Sequence, residues 1–516
     1  MLVSAWLEES AARAPAATAL VCGERRLSYR ELADRAGACA RGLAALGVER
    51  GDRVVLHLDN DVETVVALFG VLGAGAAFVM VNPTTKEAKL RFVLENAGAS
   101  AIVLPAAKAA LLEGGLPELR AVVTVGGAAA EGARKAVAFD DLLARHAGAG
   151  AAPPAPVDLD LATLLYTSGS TGEPKGVMLT HANVVAAIDS VASYLHLTSD
   201  DVLFDVLPLS FGYGLTQLFS ALKVGARFVL DKGMVFPHVT LTRMTAEGVT
   251  GFAMVPTMAA VLLGLDLAKY DLSRLRYVTN AGAALPTDHV RRFRAALPHV
   301  DLVLMYGQTE CLRIAYLEPS QVDRRPDSVG FGMPNQDVFV LDEAGQPVPP
   351  DTPGELVVRG SHVMRGYWKL PEQTEAKLRP GRFPGERVLH TGDLFRRDAE
   401  GYLYFVSRQD DIIKSKGEKV SPREVEDALF ALADVQEAAV VGVADPVTGQ
   451  AVKAVLVLRE GAVLSAREVQ RHCAQRLEDF MVPSIVEFRE ELPKTTTGKI
   501  LKRELALPAG SRETRP

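Results

Sequence analysis

The chain has 516 residues, more than one hydrophobic core usually serves, so two or more domains are expected. Hydrophobic residues at 48% and charged residues at 23% fit a globular chain and exclude a disordered one. With 56 basic and 63 acidic side chains the net charge is −7, which argues against a nucleic-acid binder, whose footprint is a basic excess.

The first residues, MLVSAWLEESAARAPAA, carry acids where an export signal needs an apolar core, so a cytoplasmic protein is expected. Residues 27–47 predict a helix entered through Ser28, with Glu31 in capping-box position and Gly47 as the stop. Residues 53–58 and 101–104 read as strands. The uncharged stretch 65–81 is broken by Gly70, Gly73 and Gly75 and followed by Pro83. A buried helix, a glycine turn and a buried strand suit it better than a membrane span of about 20 residues. Residues 147–156, rich in Ala, Gly and Pro, read as a surface connection, and LATLLYTS after it as a strand feeding a loop.

Near Asp410 the texture changes. A strand over 403–406 runs into SRQDDIIKSKGEKVSP, a segment that reads as too polar for a core. Beyond it come a helix at 422–432, strands at 438–443 and 452–458, and a helix at 466–477, with a disordered tail from Pro508. The domains are therefore expected at 1–409 and 410–516. Cys22, Cys39, Cys311 and Cys473 form no CxxC pair, so reduced thiols rather than zinc ligands or disulfides are expected.

The sharpest local signal is YTSGSTGEPKGVMLTH at 166–181. Glycines let backbone amides approach an anion, Ser and Thr add hydroxyl donors, and Lys175 adds a cation, so the loop suits phosphate. It is not a Walker A loop: Pro174 stands where the second glycine belongs, and Gly176 takes the hydroxyl position after the lysine.

This loop resembles the phosphate signature of the adenylate-forming superfamily, which includes acyl- and aryl-CoA synthetases, peptide-synthetase adenylation domains and beetle luciferases. The same family's motifs follow in order: NAGAAL at 280–285, YGQTE at 306–310, GELVVRGSHVMRGYW at 354–368, HTGD at 390–393, SRQDDIIKSKG at 407–417 and PKTTTGKI at 493–500. The resemblance implies an α/β fold: a large N-terminal domain of stacked, mostly parallel sheets with a β-barrel-like part, and a small mobile α+β C-terminal domain. It implies ATP and Mg2+ as cofactors, a carboxylic acid as substrate, and CoA or the phosphopantetheine of an acyl carrier protein as thiol acceptor. Monomer and homodimer are both open.

By the same resemblance Thr167, Ser168, Gly169, Ser170, Thr171, Gly172 and Lys175 would hold the ATP phosphates. Ala281, Gly282, Ala283 and Gly307 would line the nucleotide, with Tyr306 packed on adenine. Thr309 would meet the α-phosphate, and Glu310 would bind the magnesium, a hard cation suited to a carboxylate. Asp393 would accept the ribose hydroxyls and Arg408 approach ribose or phosphate. Lys499 would be the catalytic cation that eases carboxylate against α-phosphate. Asp410 would be the hinge, and Gly417 would leave room for the thiol.

LPLSFGYGL at 207–215 resembles the acyl-pocket motif, giving Phe211, Gly212, Tyr213, Thr216 and Met305 as pocket residues. Amino-acid-activating relatives carry an aspartate where this chain has Gly212. A buried ammonium without a counter-charge is costly, so a fatty or aryl acid is expected, with room for it at Gly212 and Gly214. The alternative is a stand-alone enzyme that loads an amino acid onto a peptidyl carrier protein; luciferase-type oxidation would share the motifs. Ala281 and Arg313 are further pocket neighbours by the resemblance; Arg313 has two readings, meeting a polar group on the substrate or facing solvent near Cys311, with solvent expected, and Cys311 is expected to be small apolar filler.

Overall fold

The computed structural model describes residues 1–112, 115–127, 135–148, 150, 153–168, 174–415, 418–445, 449–495 and 500–506. Among these residues the strands form four sheets. The largest has nine strands, with Asp301–Tyr306, Tyr277–Asn280, Gly251–Met254, Val202–Asp205, Arg227–Leu230 and Thr18–Cys22 running parallel at its centre. A second sheet of eight strands is parallel from Leu161–Ser168 through Ala77–Met80, Arg53–Leu56 and Ala101–Pro105 to Lys135–Ala138. Pro174–Thr180 then pairs antiparallel with Leu161–Ser168, and Gly366–Tyr367 with Pro174–Thr180.

The period-two alternation of strand side chains explains the layering. Val54 and Leu56 point into one apolar cluster that joins the two large sheets, whereas Val55 points into a second cluster on the outer face. Between the sheets lie helices Tyr29–Ala45, buried along one face, and Val62–Gly73, His181–Tyr194 and Gly212–Val224, buried along most of their length. The first begins two residues later than the sequence suggests, because Leu27 belongs to the strand Arg25–Ser28. The capping box is present: the Ser28 side chain accepts from Glu31 N, and Glu31 accepts from Ser28 N at 2.8 Å. The uncharged stretch folds as helix Val62–Gly73, Gly75 at φ +75°, and strand Ala77–Met80. Among the described residues no helix is long and apolar enough to cross a membrane.

An antiparallel sheet of Gln336–Leu341, Gly354–Gly360, Arg387–Arg397, Leu378–Pro380 and Leu403–Arg408 makes the third layer, the part expected to be barrel-like. The last sheet lies entirely within 413–488, around the long hairpin Val435–Asp445 and Gly449–Leu458. Ala438, Val440 and Leu456 face one cluster with helices Pro422–Phe430 and Ala466–Ala474; Ala439, Val441 and Val455 face another with Leu492 and Leu505. The charged stretch after Ser407 is less polar in effect than it reads. It makes strands Ile413–Ser415 and Glu418–Val420, and Ile413 and Val420 enter the core while their charged neighbours face out.

Candidate active site

Tyr306 ends the central strand Asp301–Tyr306, and Asp393 lies in the long strand Arg387–Arg397 of the antiparallel sheet. The two meet where these sheets abut. Tyr306 Oη donates to Asp393 Oδ2 at 2.5 Å, and Gln308 Nε2 donates to the same oxygen at 2.8 Å. Asp393 pairs across the sheet with Arg408, whose Nε stands 3.3 Å from Oδ1 without the alignment of a hydrogen bond. One carboxylate oxygen is thus fully engaged, and the other is an enclosed acceptor with an unused lone pair. The Tyr306 ring packs edge-on against Phe395 at 4.8 Å, and burial together with the adjacent Asp393 pushes its phenol well above the ordinary range.

The turn that presents Asp393 is held from below. Gly392, at φ +71°, donates its N–H to Glu355 Oε1 at 2.9 Å, and His390 Nδ1 lies 2.8 Å from Glu355 Oε2. Lys377 Nζ and Gln308 Nε2 both donate to Thr391 O, at 2.8 and 3.0 Å. Burial lowers the Lys377 pKa, although Glu310 and Asp393 oppose that shift. Gln308, Glu355, His390 and Lys377 have no assigned part in the sequence reading. Gln308 stood inside the YGQTE motif, and its amide next to two assigned residues was the available signal.

Glu310 forms a second cluster. Tyr367 Oη donates to Glu310 Oε1 at 2.7 Å, and Lys175 Nζ lies 5.5 Å over the Tyr367 ring. The contact exists because Gly366–Tyr367 pairs with Met178 and Val177, carrying the GYW motif onto the strand that bears Lys175. Thr167 is opposite Lys175 in the neighbouring strand. Thr309 is half-buried. Among the described residues no group of three or more His, Cys, Asp or Glu side chains gathers as a metal site, so Glu310 is a single carboxylate rather than part of a cage.

Of the residues expected to line the acyl pocket, Phe211, Gly212, Tyr213 and Thr216 stand at the start of helix Gly212–Val224, and Met305 in the strand Asp301–Tyr306. A Cβ on Gly282 (φ +88°) would lie 3.5 Å from the Phe211 ring, so the 281–283 segment packs against Phe211. Ala281 is buried and Ala283 exposed. Phe211 meets Tyr213 edge-on at 6.2 Å, and Tyr213 Oη and Thr279 Oγ1 are hydrogen-bonded at 2.5 Å. Met305 Sδ accepts from Tyr194 Oη at 3.1 Å. Thr216 spends its hydroxyl on Gly212 O at 2.7 Å.

Two expectations need correction. A Cβ on Gly214 would come within 2.8 Å of Pro208 O and 3.0 Å of Leu207 O, so that glycine serves helix packing rather than acyl space. Gly212 does have room: a Cβ there would meet Leu312 and Leu165 only at 3.6 and 3.9 Å. Arg313 is not at the surface. It is 2% exposed, with its guanidinium 4.9 Å over the Tyr213 ring. Cys311, fully buried, has its thiol pushed up by that burial, as apolar filler would.

Asp410 is exposed in the single turn Gln409–Asp411. Gly169, Ser170, Thr171, Gly172, Gly417, Lys499 and the side chain of Ser168 lie outside the described residues.

Residues 7–368 match the family model described as AMP-binding enzyme, and residues 424–499 the one described as AMP-binding enzyme C-terminal domain. The chain is 32% identical to a long-chain-fatty-acid–CoA ligase of Bacillus subtilis, covering 97% of this chain and 93% of that protein. It is 35% identical to a feruloyl-CoA synthase of Amycolatopsis sp., over 98% of each. The solved structure of the anthranilate CoA ligase AuaEII with anthranoyl-AMP superposes with a TM-score of 0.89, at 29% identity over 98% of this chain and 96% of that one. The chain belongs to the AMP-binding enzyme family, within the adenylate-forming superfamily. As a member it is an AMP-forming acid–thiol ligase.

Proposed function

We propose that the chain joins a fatty or aryl carboxylic acid to CoA through an acyl-adenylate. The observation that supports this reading is the close approach of Gly282 to the Phe211 ring, a contact between a residue expected to line the nucleotide and one expected to line the acid. The enclosed Asp393 Oδ1 is suited to a ribose hydroxyl, and its engaged partner Oδ2 fixes the carboxylate's orientation. Glu310 and Lys175 flank the site expected for the phosphates. Magnesium bound at Glu310 would neutralise phosphate charge, taking its other ligands from phosphate oxygens and water.

In the first half-reaction a carboxylate oxygen of the acid attacks the α-phosphorus and pyrophosphate leaves. Lys499 would stabilise the charge that gathers on the reacting oxygens, an interaction of about 3–4 kcal/mol in a dry site. In the second, a thiolate attacks the adenylate carbonyl and AMP departs. The segment at Gly417 would border the thiol, after residues 410–516 turn about Asp410 as a unit separate from 1–409. Gly212 supports an acid without an α-ammonium: an aspartate would find room there, and none is present. The relatives' names favour CoA as acceptor.

Pyrophosphate exchange over a panel of fatty, aryl and amino acids, followed by CoA addition, tests the reading. Exchange with fatty or aryl acids and formation of acyl-CoA are expected. Preference for a free amino acid, or a thioester formed only on a carrier protein, would overturn it.

A further inference from the structure

Arg313 poses a chemical question that the pocket's shape does not answer. Its side chain is 2% exposed, and its Nε is enclosed without a hydrogen-bond partner. Among the described residues no carboxylate lies within the 4.0 Å that defines an ion pair to it. An arginine remains charged at any pH a protein survives, and burying that charge unpaired is unfavourable. Its neighbours are aromatic and neutral. The guanidinium sits 4.9 Å over Tyr213, and it opposes the upward push that burial gives the phenols of both Tyr213 and Tyr194. Tyr194 is itself stacked on Tyr316 at 4.0 Å. Asp205, the buried acid that also acts on Tyr213, makes no ion pair with Arg313, and burial drives it toward its neutral form.

The backbone is bent to put Arg313 there. Leu312 adopts the left-handed region at φ +61°, uncommon for a branched residue. Gly307 permits the bend, since a Cβ on it would lie 2.6 Å from Leu312 O and 2.9 Å from Arg313 Cα. From the nucleotide segment inward, contacts run Gly282 to Phe211, Phe211 to Tyr213, and Tyr213 to Arg313. Counted along these contacts the guanidinium is three steps from Gly282, beyond Phe211 and Tyr213.

We propose that the acid this enzyme activates carries a second carboxylate at its far end, and that Arg313 receives it. The inference rests on reading Phe211, Gly212, Tyr213, Thr216 and Met305 as the acyl pocket. A carboxylate supplies the missing counter-charge and matches the guanidinium fork with two parallel acceptors. A neutral hydroxyl or carbonyl would accept a hydrogen bond but leave the charge uncompensated. The aromatic walls then select what joins the two acid groups: an apolar chain or an aryl ring.

The test is pyrophosphate exchange by the full chain with matched sets of acids, aliphatic and aryl. Each set holds a dicarboxylic acid, its monomethyl ester and the monocarboxylic acid of equal length. For the preferred set, kcat/KM is expected to be about 10- to 100-fold higher for the diacid than for either comparator, the range of a charge-assisted contact. In Arg313→Met that ratio should fall to one or below, with Arg313→Lys between. Equal or better use of monoacids by the wild-type enzyme overturns the proposal while leaving the ligase reading intact, and so does an unchanged ratio in Arg313→Met. Should the methionine variant fail to fold, the wild-type ratios still decide. No exchange with any acid defeats both readings together.

Discussion

Tyr306 and Asp393 are joined by a 2.5 Å hydrogen bond between residues 87 positions apart, and the other carboxylate oxygen of Asp393 is enclosed without a hydrogen bond, 3.3 Å from Arg408 Nε. The pair converts a flexible acid into an oriented acceptor, because Gln308 holds the same oxygen and the Gly392 turn fixes the backbone.

Asp393→Asn keeps the shape but loses the charge, and its amide can offer a donor where an acceptor is needed. The KM for ATP in pyrophosphate exchange should rise about 10- to 100-fold, the worth of a hydrogen bond to a charged group. Tyr306→Phe should cost less, since Gln308 still holds Oδ2. Equal effects of the two changes would show that orientation, not charge, dominates.

Gly212→Asp has steric room and brings a carboxylate near the substrate's own. Like charges in a partly dry pocket repel, so activation of fatty and aryl acids should fall by about tenfold or more. A panel of acids assayed before and after the change measures this, and undiminished activity would remove Gly212 from the pocket wall.

Gly307→Ala would force Cβ against the Leu312 carbonyl and the Arg313 Cα, backbone atoms that cannot step aside. Overpacking of this kind costs about 1–3 kcal/mol, read as a lowered Tm. Gly115→Ala is the control, since a Cβ there meets nothing within 4 Å, and it should change stability by no more than about 0.5 kcal/mol.

His362 is fully buried, its Nε2 lacks a partner, and burial lowers its pKa to about 4. The unfolded side chain titrates near 6.5, so the folded state binds fewer protons between pH 6.5 and 4. With the folded pKa depressed, the contribution is complete above pH 6.5 and declines as pH falls toward 4, by roughly 3 kcal/mol in all. His362→Asn, which cannot titrate, should flatten the fall of Tm with acid over this window. An identical pH profile in the variant would show that His362 is protonated at no cost.

The fold was legible where its rules are local. Ser28 and Glu31 announced a helix start, and Gly75 a turn between two buried elements, because each acts on neighbours a few residues away. The site was legible in kind, through YGQTE and HTGD, but the contacts between motifs were not. Nothing in either segment says that Gln308 reaches Thr391 or that Tyr367 reaches Glu310. Arg313 was misread because a single arginine is by default a solvent-facing side chain. The better signal was its setting, CLRIAYL, where every other side chain is apolar or aromatic. The polar stretch around Ile413 misled for the opposite reason: alternation hid two core residues among charges.

The C-terminal sheet encloses both of its apolar clusters within 413–506, and it meets the rest of the chain partly through hydrogen bonds that end on main-chain carbonyls. Ser421 Oγ donates to Val406 O, and Arg423 Nη1 to Phe405 O. Carbonyls are common to every sequence, so such a seam asks little of the partner's side chains. A piece attached in this way is interchangeable: the same 413–506 unit could accompany neighbours of different side-chain make-up, leaving evolution free to vary one part without rebuilding the other.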